Sequence, residues 1–144
     1  MKSAIIPSGS AGEGGSILLL QQWEHDAIAW DALPIDHQER VIGRRKGDGQ
    51  QLDPVPESSH VARTDQERFG KIFRRNIAYG TLREHGTIFV GFCADQRILA
   101  AMLDSMVGRG DGPPDSLTAV TRAVTGAYYV IPSADSLAAF GGGA

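Results

Sequence analysis

The period of apolar and polar positions changes several times along this chain. Ser16 to Glu24 begins with the unbroken apolar run Ile17-Leu18-Leu19-Leu20 and continues through polar residues to Trp23. A run that short, bounded by turn residues, predicts a buried strand. Ala32-Leu33-Pro34-Ile35-Asp36 then opens a helix. Pro34 suits a first turn, where its missing N–H costs nothing, and Asp36 and Glu39 complement the positive end of the helix dipole. That helix is expected to end near Val41 or Ile42, at Gly43. Residues 44–68 are mostly polar and contain Pro54 and Pro56, which predicts a loop. Loops that long in compact domains are usually functional or disordered. Two further strands are expected, a short one over Lys71 to Asn76 and a stronger one over Gly86 to Ala94 with Thr87, Ile88, Phe89, Val90 and Phe92.

Asp95 is placed to cap a second helix reaching about Val107, with Ile98, Leu99, Met102, Leu103 and Met106 on one face. The Gly- and Pro-rich stretch 108–114 breaks it as a turn. A short helical stretch is expected over Ser116 to Ala123, and Ala127-Tyr128-Tyr129-Val130-Ile131 reads as the last strand, ended by Pro132. The order is strand, helix, two strands, helix, strand. That pattern predicts an α+β domain of the ferredoxin-like βαββαβ kind, an antiparallel sheet with two helices on one face. The domain is expected over residues 16–132, between a Gly/Ser-rich flexible segment, 1–15, and a flexible tail, 133–144. The arrangement hosts many functions and decides none of them.

Composition narrows the classes. One domain is the default for 144 residues, and 42% hydrophobic with 22% charged residues is ordinary for a globular protein. A net charge of −3 with no basic block argues against nucleic acid as the partner. No apolar run is long enough to span a bilayer, and the first residues lack the apolar core of a signal peptide. Cys93 is the single cysteine, so no internal disulfide forms; in its apolar run it reads as a buried, inert thiol. A reducing cytosol fits, and a cytoplasmic location is expected.

Four histidines are the candidates for metal chemistry. His25, His37 and His85 read as solvated or locally hydrogen-bonded, and no pair has the spacing of a zinc site. His60 lies in the polar turn Pro56-Glu57-Ser58-Ser59-His60, upstream of the unit Arg74-x-Asn76. In an extended segment residues two apart share a face, so Arg74 and Asn76 are expected to point together. A neutral imidazole can ligate iron. A guanidinium can stabilise the charge that grows on a leaving oxygen, and a carboxamide can orient peroxide. An ion pair for Arg74 explains that residue equally well, and neither Arg74 nor Asn76 is a good proton shuttle.

These residues sit in a wider set of stretches: Gly14-Gly15-Ser16-Ile17-Leu18-Leu19-Leu20-Gln21-Gln22-Trp23, Trp30-Asp31-Ala32-Leu33-Pro34, Val41-Ile42-Gly43-Arg44-Arg45-Lys46, Ser59-His60-Val61, Arg74-Arg75-Asn76-Ile77-Ala78-Tyr79-Gly80, Gly86-Thr87-Ile88-Phe89-Val90-Gly91-Phe92 and Ala123-Val124-Thr125-Gly126. In this order they resemble the C-terminal half of a dye-decolourising peroxidase of the compact bacterial type. The resemblance implies haem b, with His60 as proximal iron ligand and Arg74 and Asn76 as distal catalytic residues. It implies Arg44 near a haem propionate, Phe89 and Phe92 on the strand lining the haem, and hydrogen peroxide with a small aromatic reductant as substrates. Trp23, Trp30 and Tyr79 are aromatic candidates for electron transfer.

Two departures follow from the same resemblance. The family's distal Asp belongs to a Gly-x-x-Asp-Gly motif in its N-terminal half; Gly108-Arg109-Gly110-Asp111-Gly112 is superficially similar but reads as a turn. Peroxide cleavage is therefore expected to be slow unless another chain supplies the acid. Many relatives also carry an acid, bonded to the proximal His, where this chain has about Ala119; Asp115 is close enough in sequence to substitute. The leading expectation is a haem peroxidase domain that is incomplete without an N-terminal half. The alternatives are a non-catalytic haem-binding or oligomerisation module, and a ferredoxin-like domain without cofactor. Pairing with a separate half, or homo-oligomerisation, is expected.

Overall fold

The computed structural model describes residues 4–81 and 84–141. Strand β1 (Ser16–His25) is followed by helices α1 (Ala27–Asp31), α2 (Ile35–Ile42), α3 (His60–Arg63) and α4 (Gln66–Phe69). Then come β2 (Phe73–Gly80), β3 (His85–Cys93), α5 (Gln96–Met106), a 3-10 turn (Ser116–Ala119), β4 (Thr121–Ile131) and α6 (Ala134–Gly141). The sheet order is β2-β3-β1-β4, with every pairing antiparallel. This is the ferredoxin-like order expected from the pattern of elements.

Side chains directly opposite in such a sheet share a face. One face carries Tyr128, Leu19, Gly91 and Arg74 in one row, and Gly126, Gln21, Phe89 and Asn76 in the next. The other carries Tyr129, Leu18, Phe92 and Phe73, with Leu20 opposite Val90 and Ala127. The central core cluster lies on the first face, with Leu19, Ile72, Cys93, Leu99 and Met102 as its buried residues. Cys93 is fully buried, and burial pushes its thiol up from the ordinary value.

Length explains where this core stops. β1, at about 3.3 Å per residue, runs roughly 33 Å, whereas the 11 residues of α5 reach only about 16 Å. α5 covers one end of the sheet and leaves the other open. Asp95 begins α5 by accepting the Arg97 N–H at 2.9 Å. Gly43 ends α2 in the left-handed region at φ 89°, as its position predicts.

Residues 44–68 are not one structureless loop, since α3 and α4 form inside and beside it. Each rests on a short-range cap: Ser59 Oγ accepts from Ala62 N, and Asp65 Oδ1 from Glu67 N. Helices of four residues carry too little periodicity to be seen in sequence. β4 begins at Thr121, so the expected helix over Ser116 to Ala123 is only the 3-10 turn. At the chain's start, Ile6 N donates to Gly15 O and Gly14 N to Ile6 O, closing a turn that buries Ala4 and Ile6. The stretch read as a tail contains the exposed helix α6.

Candidate functional site

The uncovered half of the sheet's inner face forms the floor of a cavity of about 800 Å³. That is within the usual range for cofactor pockets. Leu19, Gln21, Trp23, Thr87, Phe89, Arg74 and Asn76 rise from the strands. His60, Ile42, Leu99, Met102, Leu103, Met106 and Leu117 close it from the helical side.

His60 is held from three directions. Ser59, fully buried, caps α3 and fixes its first turn. The preceding residue is tied across the fold: Ser116 N donates to Ser58 O at 2.8 Å, and Ser116 Oγ to Ser58 Oγ at 2.8 Å. The imidazole itself meets Asp115, whose Oδ2 lies 2.7 Å from Nδ1. Asp115 is 1% exposed, and its other oxygen accepts Leu117 N at 2.9 Å. That leaves Nε2, which meets no partner among the described residues, in a side chain that lines the cavity. A carboxylate on the far nitrogen fixes the tautomer and orientation of a ligating histidine and raises its basicity.

Asp115, expected from its place in the sequence to be near enough, does meet His60, whereas Ala119 ends the 3-10 turn and is exposed. Arg63, 3% exposed, steadies the approach to Asp115 by donating to Asp111 O and Pro113 O. The Gly108–Gly112 stretch is the turn expected, and Asp111 is exposed outside the cavity lining.

Arg74 and Asn76 share the cavity face, Arg74 opposite Gly91 and Asn76 opposite Phe89. Among the described residues the Arg74 guanidinium has no carboxylate or other acceptor, so the ion pair weighed as its explanation is absent there. Burial and the like charge of Arg44 push it down from the ordinary arginine value. A half-buried, unpaired cation is costly and favours an electronegative occupant. Arg44 is exposed outside the lining, donating to Gly49 O at 3.0 Å, yet is near enough to repel Arg74.

Phe89 faces the cavity, and its ring lies over Gly91, where a Cβ would come within 2.7 Å of Cε1. Phe92 does not: three residues on, it points to the opposite face, its ring 6.2 Å from that of Phe73. Strand alternation makes both aromatics on one face impossible. Trp23 and Trp30 line the cavity, whereas Tyr79 is on the far face, hydrogen-bonded to Gln22 Nε2 and Trp23 O. His25 and His85 also line the cavity, though the sequence reading gave them only local roles. The parity of β1 would have revealed His25, which shares a face with Gln21 and Trp23.

No three His, Cys, Asp or Glu side chains converge among the described residues. His60 thus stands without a second protein ligand for a metal among the described residues. One free imidazole nitrogen, an apolar wall of Leu and Met, and a facing unpaired cation fit haem.

The profile of the family described as Dyp-type peroxidase, C-terminal, matches residues 1–136. The chain is 32% identical to a dye-decolorizing peroxidase of Brevibacterium linens over 94% of its own length and 40% of that protein's. It is 35% identical to one from Rhodococcus erythropolis, over 86% and 39%. Among solved structures, a dye-decolorizing peroxidase from Bacteroides thetaiotaomicron superposes with a TM-score of 0.90 at 35% identity, over 96% of this chain and 47% of that one. A variant of DypB from Rhodococcus jostii in complex with heme gives 0.85 at 36%, over 94% and 47%. The chain spans less than half the length of these relatives.

Proposed function

Since the chain belongs to the Dyp-type peroxidase family through its C-terminal domain, we propose that it holds haem b and uses hydrogen peroxide to oxidise dyes, phenols or similar aromatic reductants. One observation carries this reading: a single cavity joins the free Nε2 of His60, anchored behind by Asp115, to the unpaired guanidinium of Arg74.

When bound, haem supplies an iron that accepts one imidazole and takes up the oxidising equivalents of peroxide. His60 ligates through Nε2, while Asp115 accepts its Nδ1–H and keeps the ring electron-rich. Arg74 directs its donors at the oxygen on which negative charge grows, in a cavity walled by apolar side chains. Asn76, one step along the strand, orients peroxide by hydrogen bonding. Arg44, outside the lining, would meet an acidic edge of the cofactor only by leaving Gly49 O. Phe89 and the Leu99–Met106 side keep water out. Because Arg74 and Asn76 move protons poorly, turnover by this chain alone is expected to be low, and an acid from a second segment or chain to raise it.

Hemin titration tests the reading. A sharpened Soret band is expected with the parent chain and is lost in His60→Ala. Arg74→Leu is expected to keep the band and lower dye oxidation on the order of a hundredfold. Equal hemin binding by parent and His60→Ala contradicts the assignment.

A second reading, as an association module, draws on the sheet face turned away from the cavity. Leu20, Ile77 and Tyr129 on that face are 37%, 55% and 49% exposed.

A further inference from the structure

At the end of the cavity farthest from the core, His25 is bonded at both ring nitrogens. Nδ1 lies 2.8 Å from Thr121 Oγ1, and Nε2 lies 2.6 Å from Thr87 Oγ1. The Thr121 hydroxyl already donates its one hydrogen to Glu24 O at 2.9 Å. It can only accept from the ring, so Nδ1 carries a proton at every pH at which this contact holds. Nε2 is then the nitrogen that titrates. When neutral it accepts from the Thr87 hydroxyl; when protonated it donates to that hydroxyl, which turns its own hydrogen away. Thr87 lines the cavity and lies opposite Ala78, one diagonal from Asn76, about 7–8 Å between backbones.

We propose that His25 and Thr87 form a proton relay opening onto the cavity floor beside Asn76. It rests on the peroxidase reading for its substrate, and is a slower route than an acid from a second segment or chain, so turnover by this chain alone stays low. Peroxide gives its proton to Thr87 Oγ1 as Thr87 gives its own to His25 Nε2. Hydroperoxide anion remains in the cavity that the Arg74 cation also lines, and His25 becomes imidazolium with Nδ1–H still on Thr121. Charge and protons balance, and reversal returns the proton to the oxygen that carries the negative charge. Burial, and secondarily the charge of His85, whose ring stands edge-on at 6.5 Å, push His25 down from the ordinary histidine value. The resting ring is thus neutral and ready to accept. The other charged groups around it are Glu24 and its partner Arg122 on β4, Asp26 at the start of α1, and Asp31 on the cavity wall.

Nitrogen-15 NMR of the hemin-free chain reads the geometry without reference to catalysis. Expected are an Nδ1–H tautomer for neutral His25 and a titration confined to Nε2. In Thr87→Val the titration moves to still lower pH, because the charged Nε2–H loses its acceptor, while Thr87→Ser stays near the parent. An Nε2–H tautomer, or a titration unmoved by Thr87→Val, overturns the relay whether or not hemin binds. With hemin loaded, the rate of the absorbance change on mixing with peroxide is then followed against pH. Thr87→Val is expected to slow it on the order of a hundredfold and flatten its pH profile, with Thr87→Ser restoring both. An unchanged profile rejects the catalytic role of the relay. Failure to bind hemin rejects the peroxidase reading instead, and the NMR result still decides the relay.

Discussion

Asp115 has two obligations: it accepts from His60 Nδ1 and from Leu117 N, with almost no solvent contact. Asp115→Ala leaves both donors unpaired, and a loss of about 1–3 kcal/mol per buried group is expected in chemical denaturation. Asp115→Asn keeps an acceptor but removes the charge. Hemin is expected to bind this variant with a higher iron midpoint potential, read by spectroelectrochemistry, because the imidazole donates less. His25 contributes a pH dependence of its own. Folded His25 holds a proton less tightly than an unfolded histidine, so below the ordinary histidine value the unfolded chain binds more protons. Stability contributed by this residue is full above that value and falls as pH drops toward the lower folded one. Melting curves of His25→Gln are expected to lose that part of the acid-side slope; identical slopes exclude it.

Two glycines set how closely the elements approach. Gly43 combines φ 89° with a Cβ position 2.7 Å from Ser59 Oγ, directly behind His60. Gly43→Ala is expected to cost roughly 1–3 kcal/mol and, by displacing Ser59, to weaken hemin binding as well. Gly91 leaves room for the Phe89 ring. In Gly91→Ala the ring is expected to swing into the cavity, with hemin affinity falling about tenfold, some 1.4 kcal/mol, in an absorbance titration. β1, β3 and α5 were legible from their apolar runs and the Asp95 cap, whereas β2 was expected over residues 71–76 and β4 only from residue 127, because their outer stretches are polar or small. α3 and α4 were not, because four residues show no period and form only where Ser59 and Asp65 cap them against α5. Arg74 and Asn76 were found by the same alternation that, applied three residues apart, excludes Phe92 from the cavity. His25 escaped for a different reason. Its partners Thr87 and Thr121 are distant in sequence, and only the strand register brings them together.

The whole molecule has two unlike sheet faces. The inner one is covered at one end by α5 and hollow at the other, where the cavity of about 800 Å³ lies. The outer one carries Leu18, Leu20, Ile77, Val90, Phe92 and Tyr129, an apolar surface of the kind that promotes association. Concentration-dependent self-association is expected in analytical ultracentrifugation, reduced by Leu20→Lys together with Ile77→Lys; a monomer at every concentration argues against this face as an interface. On the other side of the sheet, His60 is proposed to ligate the haem iron. Resonance Raman spectra of the reduced, hemin-loaded chain test it most directly. An iron–imidazole stretch is expected in the parent, absent in His60→Gly and restored by added imidazole. The same stretch in His60→Gly without imidazole, or its absence from the parent, contradicts it.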